Sequence, residues 1–150
     1  MIQLTTKSPK ETIQFGGRLA KLLNPGDIVC LSGDLGSGKT TLVKGIAKGV
    51  KINPTKVNSP TFVLMNTYEG TLPLYHFDLY RLNETRDIPF IGYEEFFYGK
   101  GLTVVEWAER LGSLYPKEYL KVSLEHTGDD QRTIRCTAQG QRYQNLLKKL

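Results

Sequence analysis

A glycine-rich segment between an apolar run and a helical pattern constrains the fold of this chain more than any other feature. Residues 33–40 read Gly-Asp-Leu-Gly-Ser-Gly-Lys-Thr and match the phosphate-binding pattern Gly-x-x-x-x-Gly-Lys-Ser/Thr at every specified position. The apolar residues 28–31 precede this segment, and Leu42, Ile46 and Val50 follow it at helical spacing. This order predicts a strand, a phosphate loop and a helix. The alternative is a glycine-rich turn in an unrelated domain.

The residue types of the loop suit the binding of a nucleotide. Its glycines allow the backbone N–H groups to surround a phosphate, Lys39 can reach the outer phosphates, and the Thr40 hydroxyl can ligate Mg²⁺. The expected binding residues are Gly33, Asp34, Leu35, Gly36, Ser37, Gly38, Lys39, Thr40 and Thr41.

Length and composition limit the remaining possibilities. A chain of 150 residues is long enough for one domain with its own core, so we expect a single domain over residues 1–150. The net charge of +5 is compatible with nucleotide phosphates, an acidic partner protein or RNA. No apolar run has the length of a membrane span and no signal-peptide pattern is present, so we expect a cytoplasmic protein. Cys30 and Cys136 are expected to be reduced, buried thiols.

Hydrophobic periodicity predicts a mixed sheet with helices. A helix over 9–23 begins after Ser8, and its Gly16-Gly17 pair costs it roughly 1 kcal/mol per glycine relative to alanine. An antiparallel hairpin is expected from 61–68 and 72–80. The remaining expected strands are 2–5, 28–31, 102–105, 119–126 and 132–138, and the remaining helices are 39–50, a short one after Asn83, 93–98 and 141–150. The fold class is therefore α/β, a P-loop NTPase-like three-layer fold with a mixed parallel and antiparallel sheet.

Two acidic residues at the ends of predicted strands are candidates for the chemistry. Glu106 follows 102–105, where a carboxylate can hold Mg²⁺ or its water, and the alternative is a surface glutamate in a salt bridge. Asp78 shares a strand face with His76. It can ligate Mg²⁺ through water or orient an attacking water, and the alternative is an internally hydrogen-bonded aspartate or a pair with Arg81. A lone His76 is typical of a structural histidine.

Two further features lie where a nucleotide site can use them. Ser59 to Phe62 follow the loop helix at a distance that allows Thr61 to contact Mg²⁺ or phosphate, and the alternative is a Ser-Pro turn that begins a strand. Trp107 is the one tryptophan of the chain. It either covers the site or a partner surface, or it contributes ordinary packing.

Four motifs together resemble the TsaE family, bacterial P-loop ATPases required for threonylcarbamoyl modification of tRNA adenosine. The loop alone marks a large superfamily, whereas the order of all four in a short chain is much more specific. The resemblance covers about residues 5–125. The four motifs are residues 33–41, 57–62 (Val-Asn-Ser-Pro-Thr-Phe), 76–82 (His-Phe-Asp-Leu-Tyr-Arg-Leu) and 105–111 (Val-Glu-Trp-Ala-Glu-Arg-Leu).

The resemblance implies a function for these motifs. ATP or ADP would bind the loop, Thr40 and Glu106 would organise Mg²⁺, and Lys39, Asp78 and Glu106 would be the catalytic residues. ATP hydrolysis would support turnover of a TsaB–TsaD complex that transfers threonylcarbamoyl to the adenosine next to the anticodon. The protein would then meet tRNA only through that complex. Glutamate at position 106, in place of the more widespread aspartate, matches TsaE.

Other nucleotide-using classes remain as alternatives. A small-molecule kinase can use the same loop, but it needs an acceptor pocket and commonly an arginine-bearing lid, and the seven arginines are dispersed along the sequence. A GTP-dependent switch is disfavoured because the sequence has no Asn-Lys-x-Asp segment. A nucleotide-gated binding module is a third class, to which TsaE partly belongs.

Overall fold

The computed structural model describes residues 1–82 and 92–150, and these residues contain a seven-stranded mixed sheet. The strands occur across the sheet in the order β1-β7-β6-β2-β5-β4-β3. Their bounds are β1 Ile2–Thr6, β2 Ile28–Ser32, β3 Met65–Tyr68, β4 Leu74–Asp78, β5 Leu102–Glu106, β6 Tyr119–His126 and β7 Arg132–Gln139.

Four parallel strands form the centre of this sheet. β2 pairs in parallel with β5 and β6, and β5 pairs in parallel with β4. Antiparallel pairs flank this centre, with β7 between β6 and β1 on one side and β3 beside β4 on the other. The carboxyl ends of the parallel strands therefore meet along one edge, which is where open α/β sheets bind ligands.

The α-helices have between 5 and 12 residues, and the last of them follows the last strand. Ser8 caps the first of them, because its Oγ accepts a hydrogen bond from the Glu11 amide at 3.1 Å. Among the residues that the structure describes, no helix has the length and apolar character needed to cross a membrane. The helices are α1 Pro9–Ala20, α2 Lys39–Gly49, α3 Tyr93–Phe97 and α4 Gln141–Leu147, with 3₁₀ helices at Pro54–Lys56 and Ala108–Leu114.

The core has two parts, one on each face of the sheet. Along β5, Val104 belongs to the part that packs against α1, α2 and α4, whereas Val105 belongs to the part that packs against α3 and the second 3₁₀ helix. Successive strand residues point to opposite faces, so both faces of β5 are buried. The predicted α/β class with a mixed sheet is confirmed.

Helices α1 and α2 approach each other closely at glycines. A Cβ on Gly16 would lie 2.6 Å from the Leu42 carbonyl oxygen, and one on Gly45 would lie 2.3 Å from the Ile13 carbonyl oxygen. Both distances are too short for real atoms, so a side chain at either position would push the helices apart. Gly16, expected from the sequence only to weaken its helix, is thus a packing residue.

The predicted hairpin is present, but its strands are shorter than expected. The first begins at Met65 and not at residue 61, because the Leu64 amide donates to the Pro60 oxygen at 2.7 Å and closes a turn. The second ends at Asp78 and not at residue 80, because the Tyr80 amide donates to Asp78 Oδ1 at 2.9 Å. Such an aspartate turn ends the strand. The short helix predicted after Asn83 lies outside the described residues.

Candidate nucleotide site

The candidate site lies at the carboxyl ends of β2, β5 and β4. The glycine-rich loop follows β2, and the β2–β5 pairing places Leu31 beside Glu106. The β4–β5 pairing places Asp78 beside the same Glu106. The strand register therefore brings both acids predicted from the sequence to neighbouring strand ends next to the loop.

The loop backbone has a conformation that requires glycine. Gly33 has a φ of 144°, and a Cβ there would lie 2.4 Å from the Leu124 carbonyl oxygen. Gly38, with a φ of 102°, precedes α2, whose first residue is Lys39. The free N–H groups at the start of α2 therefore face the loop, and this arrangement suits an anion.

Lys39 is held inside the loop. Its Nζ donates to the Gly33 oxygen at 2.5 Å and to the Asp34 oxygen at 2.9 Å. Only 5% of the residue is exposed. Burial lowers the pKa of Lys39, and the nearby carboxylates, Glu106 first among them, partly oppose this effect. The ammonium group thus lies among the backbone atoms that would surround a phosphate.

Glu106 is a buried acid, with 2% of its surface exposed. The Thr40 hydroxyl donates to both of its carboxylate oxygens, at 3.0 and 3.1 Å. This burial excludes the alternative of a surface salt bridge. The hydroxyl and carboxylate oxygens are hard donors that fit Mg²⁺, which usually takes one or two carboxylates together with substrate phosphates. Among the described residues no cluster of three or more acidic, histidine or cysteine side chains forms a complete protein cage for a metal.

His76 contacts Glu106 and not Asp78. Its Nε2 forms a short hydrogen bond with Glu106 Oε2. The Nδ1 atom is buried without a partner in the described part of the chain. Because a carboxylate can only accept, the proton of this hydrogen bond belongs to Nε2. The histidine expected to be structural therefore supports one of the two site acids.

Asp78 is tied to the segment after the loop helix. Its Oδ2 accepts hydrogen bonds from Ser59 Oγ at 2.5 Å and from Thr61 Oγ1 at 2.9 Å. The Arg81 guanidinium lies over the Phe62 ring, 5.1 Å from its centroid. Asp78 is thus an internally hydrogen-bonded aspartate, which is one of the alternatives that the sequence leaves open. The hydroxyl groups that donate to it belong to the motif of residues 57–62.

Trp107 covers Lys39. The Lys39 Nζ lies 4.2 Å from the centroid of the indole ring, and the Tyr80 ring packs on the same indole at 4.9 Å. The Trp107 backbone is left-handed, with a φ of 58°, which costs an L-residue about 1–2 kcal/mol. This conformation directs Trp107 back over the loop. The tryptophan therefore covers the site.

These groups line one cleft of about 380 Å³. It brings together Lys39, Thr40, Asp78 and Glu106, whose catalytic and metal-binding roles remain predictions. It also contains Arg132, which sequence reasoning missed because only the tertiary fold brings β7 to the loop. The lining residues are Leu35, Gly36, Gly38, Lys39, Thr40, Thr41, Ser59, Thr61, Asp78, Tyr80, Glu106, Trp107 and Arg132.

The fold and the cleft together define a class of protein. A glycine-rich loop joins a central parallel strand to a helix, and acids occupy the ends of the neighbouring strands. This is the P-loop NTPase-like α/β fold.

Comparison with known proteins narrows this class to a family. The family model described as "Threonylcarbamoyl adenosine biosynthesis protein TsaE" matches residues 6–134. The chain is 44% identical over 147 residues to the tRNA threonylcarbamoyladenosine biosynthesis protein TsaE of Bacillus subtilis (strain 168). The aligned region covers 97% of this chain and 90% of that protein. It is 40% identical over 133 residues to the protein of the same name from Treponema pallidum (strain Nichols), and this alignment covers 89% of this chain and 98% of that protein. The chain belongs to the TsaE family, and the resemblance carried by the four motifs is confirmed.

A solved structure agrees with this assignment. The crystal structure of Bacillus subtilis YdiB matches the fold with a TM-score of 0.83 at 38% sequence identity. The match covers 99% of this chain and 92% of that one, so nearly every element has a counterpart.

Proposed function

We propose that this protein binds ATP with Mg²⁺ and hydrolyses it to ADP and phosphate. The observation that carries the proposal is the convergence of Lys39, Thr40, Asp78 and Glu106 on one cleft beside the phosphate loop. Phosphoryl transfer depends mainly on the positioning and compensation of charge, and these groups supply both.

Each residue has a distinct task in this proposal. The loop N–H groups and Lys39 bind the phosphate oxygens, while Thr40 and Glu106 hold Mg²⁺. The metal, when bound, neutralises charge on the phosphates. Asp78 Oδ2 accepts two hydrogen bonds and Oδ1 accepts one, so one of the roughly four acceptor positions of the carboxylate remains for a water molecule. That water is either the nucleophile or a ligand of the metal.

We infer that this hydrolysis serves the biosynthesis of N6-threonylcarbamoyladenosine in tRNA. Membership of the TsaE family and the names of the relatives support this role. In the proposal the protein acts in the cytoplasm on a TsaB–TsaD complex, which transfers the threonylcarbamoyl group and contacts the tRNA. Nucleotide hydrolysis then drives turnover of the partner complex and leaves this protein unmodified.

A multiple-turnover reconstitution tests the proposal. Purified TsaB, TsaD, tRNA and the threonylcarbamoyl donor are combined with and without this protein, and modified adenosine and released phosphate are both measured. We expect weak ATP hydrolysis by the protein alone, faster hydrolysis with the partners, and modification beyond one turnover only when this protein is present. Lys39→Ala should abolish the ATP hydrolysis and the modification beyond one turnover, because the charge that compensates the phosphates is lost.

The matched control is Lys44→Ala, which removes a lysine five residues further along α2, outside the cleft. It should behave like the unaltered protein. Transfer of phosphate to a small metabolite would overturn the ATPase assignment and identify a kinase.

A further inference from the structure

Arg132 lies at the same sheet edge as the phosphate loop. It is the first residue of β7, where it pairs with His126 of β6 and with Thr6 of β1. Because β7 runs antiparallel to β6, the start of β7 lies next to the carboxyl ends of the parallel strands. The fold therefore holds this half-buried arginine between two strands at the edge of the cleft.

The Arg132 guanidinium reaches the loop itself. Its Nη2 donates to the Gly36 carbonyl oxygen at 3.3 Å, and its Nε lies 3.6 Å from the position that a Cβ on Gly38 would occupy. The Lys39 ammonium is bonded to the carbonyls of Gly33 and Asp34, at the other end of the same loop. The loop is therefore flanked by two cations, Lys39 at the start of helix α2 and Arg132 at the start of strand β7.

The contacts of Arg132 leave its charge uncompensated. Its Nη1 donates to the carbonyl oxygens of Asp129 and Gln131, at 3.3 and 3.1 Å, and these bonds orient the group. Within the described residues, 1–82 and 92–150, no carboxylate forms an ion pair with it. Of its five N–H donors, the one on Nε and the second on Nη2 have no acceptor there. An oriented guanidinium with two free donors beside a phosphate loop suits a phosphate oxygen.

We propose that Arg132 is a further nucleotide-binding residue, whose guanidinium contacts the phosphate chain from the side of the loop opposite Lys39. This inference rests on the proposed function, because it assumes that the loop binds ATP and ADP. It assigns to β7 a part in nucleotide binding that none of the four sequence motifs contains. The ligand chemistry is that of a nucleoside diphosphate or triphosphate.

Binding of ADP by calorimetry, with and without Mg²⁺, tests the assignment in the full chain. Arg132→Ala should weaken ADP binding by about tenfold or more, since hydrogen bonds to charged groups contribute about 1.5–3 kcal/mol. Arg132→Lys keeps the charge and should recover part of the affinity. Arg132→Gln keeps a donor for the Gly36 oxygen but no charge, and should bind almost as weakly as the alanine variant.

Arg135→Ala is the matched control. Arg135 lies on the same strand but bonds to Glu125 and Gln3, away from the cleft, so its removal changes the net charge equally. It should leave ADP affinity unchanged. Wild-type affinity in Arg132→Gln would overturn the inference and make Arg132 only a support of the loop. An equal loss in Arg135→Ala would also overturn it, in favour of general electrostatic attraction.

The test separates this inference from the function on which it rests. If the unaltered protein binds no ADP, both fail. If it binds ADP and Arg132→Ala binds equally well, only the role of Arg132 fails. Denaturant unfolding of each unliganded variant checks the fold, and Arg132→Gln decides the matter if the alanine variant does not fold.

Discussion

At the scale of single residues, Glu106 is a buried carboxylate with hydrogen bonds to both oxygens. Its partners, Thr40 and His76, lie 66 and 30 positions away in the sequence. Burial of a charged group without such partners would be costly, so the two contacts allow an ionised acid to remain inside the cleft. The negative charge of this carboxylate is then available to a cation.

Removal of that charge with little change in shape isolates its role. Glu106→Gln retains an oxygen that accepts from Thr40 but loses the charge that would hold Mg²⁺. We expect ATP hydrolysis to fall by about 10²-fold or more, the usual loss when one group that stabilises the transition state is removed. Phosphate release in the presence of Mg²⁺ and the TsaB–TsaD complex measures the effect.

The control is Glu109→Gln, which removes the same charge from an exposed position three residues further on. It should hydrolyse ATP at nearly the normal rate. Full activity in Glu106→Gln would contradict the metal-binding role of this residue, and urea unfolding establishes that the variant is folded.

At the scale of elements, the contact between α1 and α2 determines how the loop helix sits on the sheet. Gly16 and Gly45 meet at this contact, and a Cβ on either would lie 2.9 Å from the Cα of the other. Gly17, the next residue of α1, has space, because a Cβ there would lie 3.8 Å from the Gly45 carbonyl oxygen. The contact between the helices therefore requires glycine at position 16 but leaves room for a side chain at position 17.

Alanine substitutions of this pair should have opposite effects on stability. Gly16→Ala forces the helices apart and should lower the free energy of unfolding by about 1–3 kcal/mol. Gly17→Ala adds helix propensity without a clash and should raise it by up to about 1 kcal/mol. Urea denaturation of the two variants measures both changes. Equal effects of the two substitutions would show that propensity, and not helix contact, governs both positions.

At the scale of the whole molecule, two buried thiols make the stability of the fold depend on pH. Cys30 on β2 and Cys136 on β7 are fully buried and unpaired, as the sequence predicts. Burial raises the pKa of each thiol from 9.0 to about 12. The folded protein therefore keeps protons that the unfolded chain releases between these two values.

This difference predicts an alkaline loss of stability. Above pH 9 the unfolded chain binds fewer protons than the folded one, so the free energy of unfolding falls as pH rises toward 12. Each thiol contributes up to about 1.4 kcal/mol per pH unit. Cys136→Ala should reduce the slope by about that amount, whatever its effect on stability at pH 7. Urea midpoints measured at pH 8 to 10.5 give the slope, and an unchanged slope in Cys136→Ala would contradict the prediction.

The sequence predicted most elements because their causes are local. Ser8 and Pro9 predict the start of α1, and the alternation of residues 119–126 predicts β6. Periodicity predicts hairpin strands that are too long, because the turns closed by the Leu64 and Tyr80 amides depend on backbone and side-chain contacts that periodicity does not contain. The ends of the two hairpin strands therefore cannot be predicted from local sequence patterns.

Amino-acid order alone is enough to identify the phosphate loop, the acids at positions 78 and 106 and the family, because each of these depends on residue types at fixed spacing. The folded chain is needed to establish that His76 bonds to Glu106, that Ser59 and Thr61 donate to Asp78, and that Arg132 reaches the loop. The physical reason is that hydrogen bonds between side chains depend on strand order and register, and pairing across the sheet sets both.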